Sequence, residues 1–159
     1  NYLFRDNKIK KPEEEYLIPF GAAHILREGT DITLVATSSM VQVAQTAADR
    51  LDEHGVSAEV IDPRTIAPLD EGTILASVKK TSRAIVIDEG HQSYGVTAEI
   101  AARIAEKAFY HLDAPVQRLG AMDVPIPFSP ALEDLTVPTP EDVVARALMA
   151  MRGELFHVS

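Results

Sequence analysis

The chain has 159 residues with 46% hydrophobic and 25% charged positions, so one compact domain with a single core is expected. Its formal net charge of −9 disfavours nucleic acid as a partner, because phosphate recognition depends on clustered Lys and Arg. The sequence contains no cysteine, which excludes disulfides and thiol catalysis, and no run of about 20 apolar residues that would cross a bilayer.

The first predicted elements are two strands and a helix. Residues 22–29 (AAHILREG) alternate imperfectly and carry charge, which is typical of an edge strand. Residues 31–38 (DITLVATS) are apolar and β-branched at consecutive positions, which predicts a strand covered on both faces. From Met40 to Leu51 apolar residues recur at helical spacing, and Ser38 or Ser39 can cap the resulting amphipathic helix.

The same alternation continues through the middle of the chain. Residues 57–62 (SAEVID) predict a third strand, and Asp70 can cap a shorter helix that runs to about Lys80. Residues 83–88 (RAIVID) again predict a strand that is buried on both faces. A longer helix follows over 96–109, where apolar residues recur every three or four positions.

The last third contains one weaker strand and one well-marked helix. Residues 116–121 (VQRLGA) predict the strand, and the proline-rich stretch 123–140 is expected to lie extended over the surface. Thr139 as N-cap and Pro140 at the first helical position predict a final helix with an apolar face. Strands that alternate with helices favour an α/β fold, in which a mainly parallel sheet lies between two helical layers.

Chemistry is expected at the carboxyl ends of the parallel strands, where loops and helix N-termini converge on one edge. Four loops meet there. They contain Thr37, Ser38 and Ser39; Asp62, Pro63, Arg64 and Thr65; Asp88, Glu89, Gly90 and His91; and Ala121, Met122 and Asp123. No glycine-rich nucleotide fingerprint follows any of the strands, and no two histidines have metal-ligand spacing.

Three residues at this edge have alternative interpretations. His91, beside two acidic residues, is a candidate acid or base, and the alternative is a structural hydrogen bond at a domain or subunit interface. Ser93 is a nucleophile only if a base and an oxyanion hole lie within reach, as a small hydrolase would require. Arg64 can hold an anionic ligand or order its own loop.

Five stretches of the sequence resemble a known family. These stretches are DITLVATSSMV, AEVIDPRTIAPLD, AIVIDEGHQSYGVTAEIAARIAE, LDAPVQRLGAMDVPIPFSPALED and PTPEDVVARAL. In order and spacing they resemble the C-terminal domain of the β subunit of thiamine diphosphate-dependent 2-oxoacid dehydrogenases, the group of the pyruvate, branched-chain and acetoin dehydrogenases. The resemblance covers about residues 12–151, and the motifs R-T-x-x-P-L-D, D-E-x-H and D-x-P-x-P carry it.

The resemblance implies a specific fold and domain organisation. The family domain is a three-layer α/β/α sandwich with a five-stranded, mostly parallel sheet and one antiparallel edge strand, which residues 22–29 would form. Residues 1–15 would be a linker from a missing pyrimidine-binding domain upstream, residues 16–152 the transketolase C-terminal-like domain, and residues 153–159 a tail.

The resemblance also implies an oxidoreductase function within a multienzyme complex. The complete enzyme, of which the pyruvate dehydrogenase E1 β subunit is one example, uses thiamine diphosphate and Mg²⁺ to decarboxylate a 2-oxoacid and transfer the acyl group to lipoyl. This chain lacks the G-D-G motif for diphosphate and the preceding domain with the activating glutamate. It is therefore expected to bind no cofactor alone and to be inactive alone, with His91 at most a supporting group behind an active site that other domains complete.

The implied partners are a second β subunit, an α subunit and the subunit-binding domain of the lipoyl acyltransferase. The family's docking acid falls on Asp113, which alternatively closes a turn ahead of Pro115. We expect a cytoplasmic, bacterial protein. The sequence leaves open whether the substrate is pyruvate, a branched-chain 2-oxoacid or acetoin. It also leaves open a second hypothesis, a free-standing α/β ligand-binding or regulatory module that uses Arg64 and His91.

Overall fold

The computed structural model describes residues 17–154. The predicted linker 1–15 lies outside the described residues, as does all of the predicted tail except its first two positions. Within the described range, no helix is long and apolar enough to span a membrane.

The described chain contains five strands and five helices, with one 3₁₀ turn. The strands are β1 (His24–Arg27), β2 (Ile32–Ala36), β3 (Ala58–Asp62), β4 (Ala84–His91) and β5 (Gln117–Ala121). The helices are α1 (Met40–Glu53), α2 (Glu71–Thr81), α3 (Val96–Ala108), α4 (Pro130–Glu133) and α5 (Pro140–Met151), and the 3₁₀ turn is Phe109–His111. All five predicted strands are therefore confirmed.

The strands form one sheet in the order β1-β3-β2-β4-β5. The three pairings that involve only β2 to β5 are parallel, and β1 pairs antiparallel with β3, with His24 opposite Asp62. The sheet thus matches the expected five-stranded, mostly parallel arrangement with one antiparallel edge strand. Because β2, β3 and β4 are parallel, their carboxyl ends lie at one edge.

Two apolar layers hold the helices against the sheet. One layer packs α1 and α5 against the side chains of Ile32, Leu34, Ile85 and Ile87. The other layer packs α2 and α3 against Val35, Ile61 and Val86 on the opposite face. Successive side chains of a strand point to opposite faces, so β2 and β4 supply both layers at once. This explains why their sequences are continuously apolar rather than alternating.

The predicted helix caps are partly confirmed. The Asp70 carboxylate accepts a hydrogen bond of 3.1 Å from the Thr73 amide and begins α2, and Thr139 forms a capping box with Asp142 at the start of α5. Ser39 occupies the N-cap position of α1, but its hydroxyl makes no capping hydrogen bond. That hydroxyl donates instead to Glu89 at the end of β4.

Two boundaries differ from the sequence expectation. β4 continues to His91, three residues beyond the predicted end, because His91 pairs with Ala121 at the end of β5. The stretch 123–140 is not extended throughout, since it contains the short helix α4. Pro130 occupies the first turn of that helix, where its fixed backbone angle is suited to a helix start.

A charged residue lies in the core on β3. The Glu59 side chain is 1% exposed and accepts hydrogen bonds from Lys80 and from the Gly29 amide, the latter at 3.2 Å. Burial raises the pKa of Glu59, but the hydrogen bonds from Lys80, Ser77 and Gly29 outweigh it and lower the pKa overall. Glu59 thus links three elements: β3, the segment after β1, and α2.

Candidate functional site

A cavity of about 510 Å³ lies at the carboxyl edge of the sheet. It is lined by three of the four loops that the sequence places there, together with the first residue of α3. The lining residues are Thr37, Ser38, Asp62, Pro63, Arg64, Thr65, Ile66, Asp88, Glu89, Gly90 and Val96. The structure therefore brings the ends of β2, β3 and β4 to one site, as the strand-end rule predicts.

Two carboxylates at the end of β4 are held by hydroxyl groups from the loop after β2. Asp88 accepts from the Thr37 hydroxyl and, at 3.0 Å, from the Gly90 amide. Glu89 accepts from the hydroxyls of Ser38, at 3.0 Å, and Ser39. Both carboxylates are fixed by neutral donors, and no cationic side chain of residues 17–154 forms an ion pair with either of them.

Arg64 also lines the cavity. Its backbone has a left-handed φ of 59°, and its amide donates to the Asp62 carboxylate at 2.8 Å. Its guanidinium forms no hydrogen bond or ion pair with any described residue. Arg64 therefore does not order its loop through its side chain, and the charged group remains available at the cavity. Asp62, Asp88, Glu89 and Arg64 together give the cavity lining a formal charge of −2.

His91 is the last residue of β4 and is exposed. Its Nε2 lies 3.1 Å from the carbonyl oxygen of Val124, which can only accept, so Nε2 carries the proton. This bond joins β4 to the segment after β5. His91 thus makes a structural hydrogen bond inside the domain, whereas its predicted place at a domain or subunit interface stays a prediction.

Ser93 contacts an acid rather than a histidine. Its hydroxyl donates to Asp123 Oδ2 at 2.5 Å and its amide to Oδ1 at 3.3 Å. The Ser93 hydroxyl lowers the pKa of Asp123, and the Ser93 amide and the nearby His91 act in the same direction. No imidazole in the described chain accepts from Ser93, so the structure does not assemble the base that a serine hydrolase needs.

The turn between β4 and α3 is closely packed. A methyl group built on Gly95 would lie 2.2 Å from the His91 carbonyl oxygen, and one on Gly120 would lie 2.7 Å from the backbone of Gln92. The backbones of the turn and of β5 therefore approach each other as only glycine allows. These contacts fix the position of the loop that carries His91 and Ser93.

Asp113 lies at the other end of the sheet, far from this cavity along the strands. Its amide donates to the Ser82 carbonyl at 2.9 Å, and its carboxylate, 60% exposed, lies 3.4 Å from Arg83 Nη2 just before β4 begins. It borders a larger groove of about 860 Å³. The groove is lined by Ala98, Ala101, Ala102, Ala105, Phe109, Tyr110, Leu112, Asp113, Ala114, Pro115, Val116 and Arg118.

Two features of these surfaces were not predicted from the sequence. Asp123 was placed in a strand-end loop, but its pairing with Ser93 depends on the register between β4 and β5. The groove beside Asp113 is lined by four alanines of α3, and no pattern in the sequence predicts it. Within residues 17–154 no cluster of His, Cys, Asp and Glu could hold a metal ion.

Comparison with known families gives one match that covers most of the chain. The profile of the family described as "Transketolase, C-terminal domain" matches residues 21–143. Among solved structures, a protein described as "Split gene transketolase, inactive beta4 tetramer" superimposes with a TM-score of 0.76 at 28% identity, covering 93% of this chain and 46% of its own. A transketolase mutant from Pichia stipitis, at 22% identity and a TM-score of 0.58, supports the fold alone.

Comparison with curated proteins finds relatives whose names describe two different activities. The chain is 48% identical over 141 residues to the β subunit of acetoin:2,6-dichlorophenolindophenol oxidoreductase from Bacillus subtilis, covering 89% of this chain and 41% of the relative. It is 45% identical over 145 residues to the pyruvate dehydrogenase E1 component subunit β of the same organism, covering 91% and 44%. The chain thus spans less than half the length of these relatives.

Proposed function

We propose, because the chain belongs to the transketolase C-terminal domain family, that it forms the C-terminal domain of the β subunit of a thiamine diphosphate-dependent 2-oxoacid dehydrogenase. The complete enzyme would decarboxylate a 2-oxoacid, or cleave acetoin, and transfer the acyl group to lipoyl. The observation that carries this proposal is the identity of 45–48% to β subunits with those named activities over about nine tenths of the chain.

The described residues that line the strand-end cavity do not fit a thiamine diphosphate site. A diphosphate needs cations or a cradle of backbone amides, whereas the lining of the strand-end cavity has three carboxylates and one arginine. When bound in the complete enzyme, thiamine diphosphate supplies the nucleophilic carbon of the reaction. We therefore propose that other domains hold it and its Mg²⁺, and that this domain contributes assembly rather than chemistry.

The proposed domain organisation follows the same reasoning. Residues 16–152 would form the assembly domain, residues 1–15 would link it to a preceding pyrimidine-binding domain, and residues 153–159 would be a tail. The proposed partners are a second β subunit, an α subunit and the subunit-binding domain of the acyltransferase. Self-association is supported by the solved neighbour, which is described as a tetramer of β chains.

The proposed function is tested on the natural polypeptide. Its intact mass should be roughly twice the 17.3 kDa of this chain, as the lengths of the relatives imply. Purified with its α subunit and supplied with thiamine diphosphate and Mg²⁺, it should reduce dichlorophenolindophenol with pyruvate, a branched-chain 2-oxoacid or acetoin. A natural polypeptide of about 17 kDa, or a longer one that oxidises none of these substrates, would contradict the proposal.

Docking of the acyltransferase is proposed at Asp113. The carboxylate is exposed at the rim of an apolar groove, so a basic residue of the partner could pair with it while apolar side chains enter the groove. An acid at the rim of an interface acts mainly on the association rate and on its salt dependence.

Replacing Asp113 with asparagine should therefore weaken binding of the subunit-binding domain about tenfold at low salt. The loss should shrink as salt rises, because screening also weakens the wild-type contact. Surface plasmon resonance over a salt series measures both effects. Glu106→Gln is the matched control, since Glu106 is also exposed, lies on α3 and borders no part of the groove. Equal affinities for wild type and Asp113→Asn would argue against docking at this residue.

A further inference from the structure

The carboxyl edge of the sheet exposes large apolar side chains from four of the segments that meet there. Phe20 lies before β1, Ile66 after β3, Tyr94 after β4, and Ile126 and Phe128 after β5. Each of them is more than half exposed, and Tyr94 and Phe128 are fully exposed. Single exposed apolar residues are common on protein surfaces, but a set that converges from four loops on one edge is typical of an interface.

The polar centre of this edge holds more carboxylates than cations. Asp88 and Glu89 accept hydrogen bonds only from hydroxyl groups and a backbone amide, and the cavity lining, Arg64 included, has a formal charge of −2. An apolar surface with an uncompensated pair of carboxylates at its centre is complementary to an apolar surface that carries a Lys or Arg.

The chain enters the domain at the same edge. Ile18, Pro19 and Phe20 line a second cavity of about 380 Å³ together with residues of the strand-end loops, among them Ser38, Asp62 and Arg64. The Ala23 amide is then tied at 2.9 Å to the Asp70 carboxylate before β1 begins. A domain that precedes this one would be joined to it by the chain that enters at this edge, which raises the effective concentration of that domain here.

We propose that the carboxyl edge of the sheet packs against the domain that precedes it in the same polypeptide, with a basic side chain of that domain opposite Asp88 and Glu89. This inference rests on the proposed function, because it needs the longer polypeptide. The strand-end cavity is then a buried cleft between two domains rather than an open pocket. The exposed apolar loops become the rim that excludes water from it.

Photo-crosslinking in the full-length polypeptide tests the packing. A photoreactive benzoyl-phenylalanine replaces Phe128, and the matched control replaces Tyr110, which is equally exposed but lies beyond α3 at the other end of the domain. Equal amounts of isotopically light and heavy chains are mixed before assembly with the α subunit and irradiation. We expect crosslinks from position 128 to peptides upstream of Asn1, formed only within one chain, and no such crosslinks from position 110.

The crosslinking outcomes separate this inference from the proposed function. Light-to-heavy crosslinks would identify a second copy as the occupant, and crosslinks to the α subunit or none at all would also overturn the inference. The intact mass, read in the same experiment, reports on the longer polypeptide itself. A long, active polypeptide with crosslinks elsewhere therefore contradicts only the packing, whereas a short polypeptide contradicts the proposed function.

The proposed basic side chain opposite Asp88 and Glu89 is tested by amide hydrogen exchange in the same full-length protein. Glu89→Lys places a second cation opposite the proposed one, so peptides covering 121–128 should exchange at least about tenfold faster than in wild type. Glu89→Gln keeps an oxygen that accepts from Ser38 and should give a smaller increase. Glu106→Lys on α3 is the control and should leave these peptides unchanged. No increase in either Glu89 variant would overturn the basic partner.

Discussion

Replacing Lys80 with methionine is expected to lower the free energy of unfolding at pH 7 by about 3 kcal/mol, because it leaves a buried carboxylate without its cation. Glu59 is 1% exposed, and Lys80 provides its only ion pair within residues 17–154. Methionine fills a similar volume, so the loss reports on the charge rather than on packing. Urea unfolding followed by circular dichroism measures the change.

The matched control is Lys79→Met. Lys79 is the neighbouring residue on α2, is exposed and has no acidic partner in the described chain, so its replacement should change the stability by less than about 0.5 kcal/mol. A loss as large as that of Lys80→Met would show that surface charge in general, and not the buried pair, accounts for the effect.

The pH dependence of the same variant gives a second signature. In the wild type the pKa of Glu59 is lowered in the fold, so its contribution is complete above the unfolded value of about 4.3 and is lost as the pH falls below it. Without Lys80, burial raises the pKa of Glu59 in the variant. Protonation then removes the unpaired buried charge, so the difference in the free energy of unfolding between wild type and Lys80→Met should narrow below about pH 5. A difference that stays constant with pH would contradict the buried pair.

Replacing Gly95 with alanine is expected to cost roughly 3 kcal/mol, because the new methyl group would lie 2.2 Å from the His91 carbonyl oxygen. That oxygen belongs to the backbone of β4, so no side-chain rotation relieves the overlap. The turn before α3 must move, which should disturb the contacts of His91 with Val124 and of Ser93 with Asp123. Thermal unfolding and the NMR shift of the His91 ring report the two effects.

Gly72→Ala is the control, since it makes the same chemical change on another helix. A methyl group there would meet only Asp70 Oδ1 at 3.6 Å, an ordinary contact. Alanine is a better helix former than glycine, so this variant should be more stable than wild type by up to about 1 kcal/mol. If both variants lost similar stability, the close approach at Gly95 would not be the cause.

The fold was largely predictable because its signals are local. The uninterrupted apolar residues of β2 and β4 predict strands buried on both faces, and Thr139 with Pro140 marks the start of α5. The end of β4 was not predictable in this way. His91 extends the strand only because Ala121 of β5, which is distant in the sequence, pairs with it. Such a pairing leaves no local sequence pattern.

The location of the candidate site could be predicted from the sequence, but its individual hydrogen bonds could not. The strand-end rule brings Thr37, Asp62 and Asp88 together, as the structure has them. Which partner each group takes depends on register and on side-chain direction, so the bonds of Ser93 to Asp123 and of Ser39 to Glu89 were missed. Glu59 was missed because a charged residue on a strand is normally assigned to an exposed position.

The strand order has a consequence for biosynthesis. β1 leaves the ribosome before the other strands, but its partner is β3, and β2 lies between β3 and β4. β1 therefore has nothing to pair with until β2, α1 and β3 have all emerged, and β5 completes the opposite edge only after α3. The first of these five strands to be synthesised thus stays unpaired until the third has emerged, and a nascent chain paused before β3 would present β1 unpaired to chaperones.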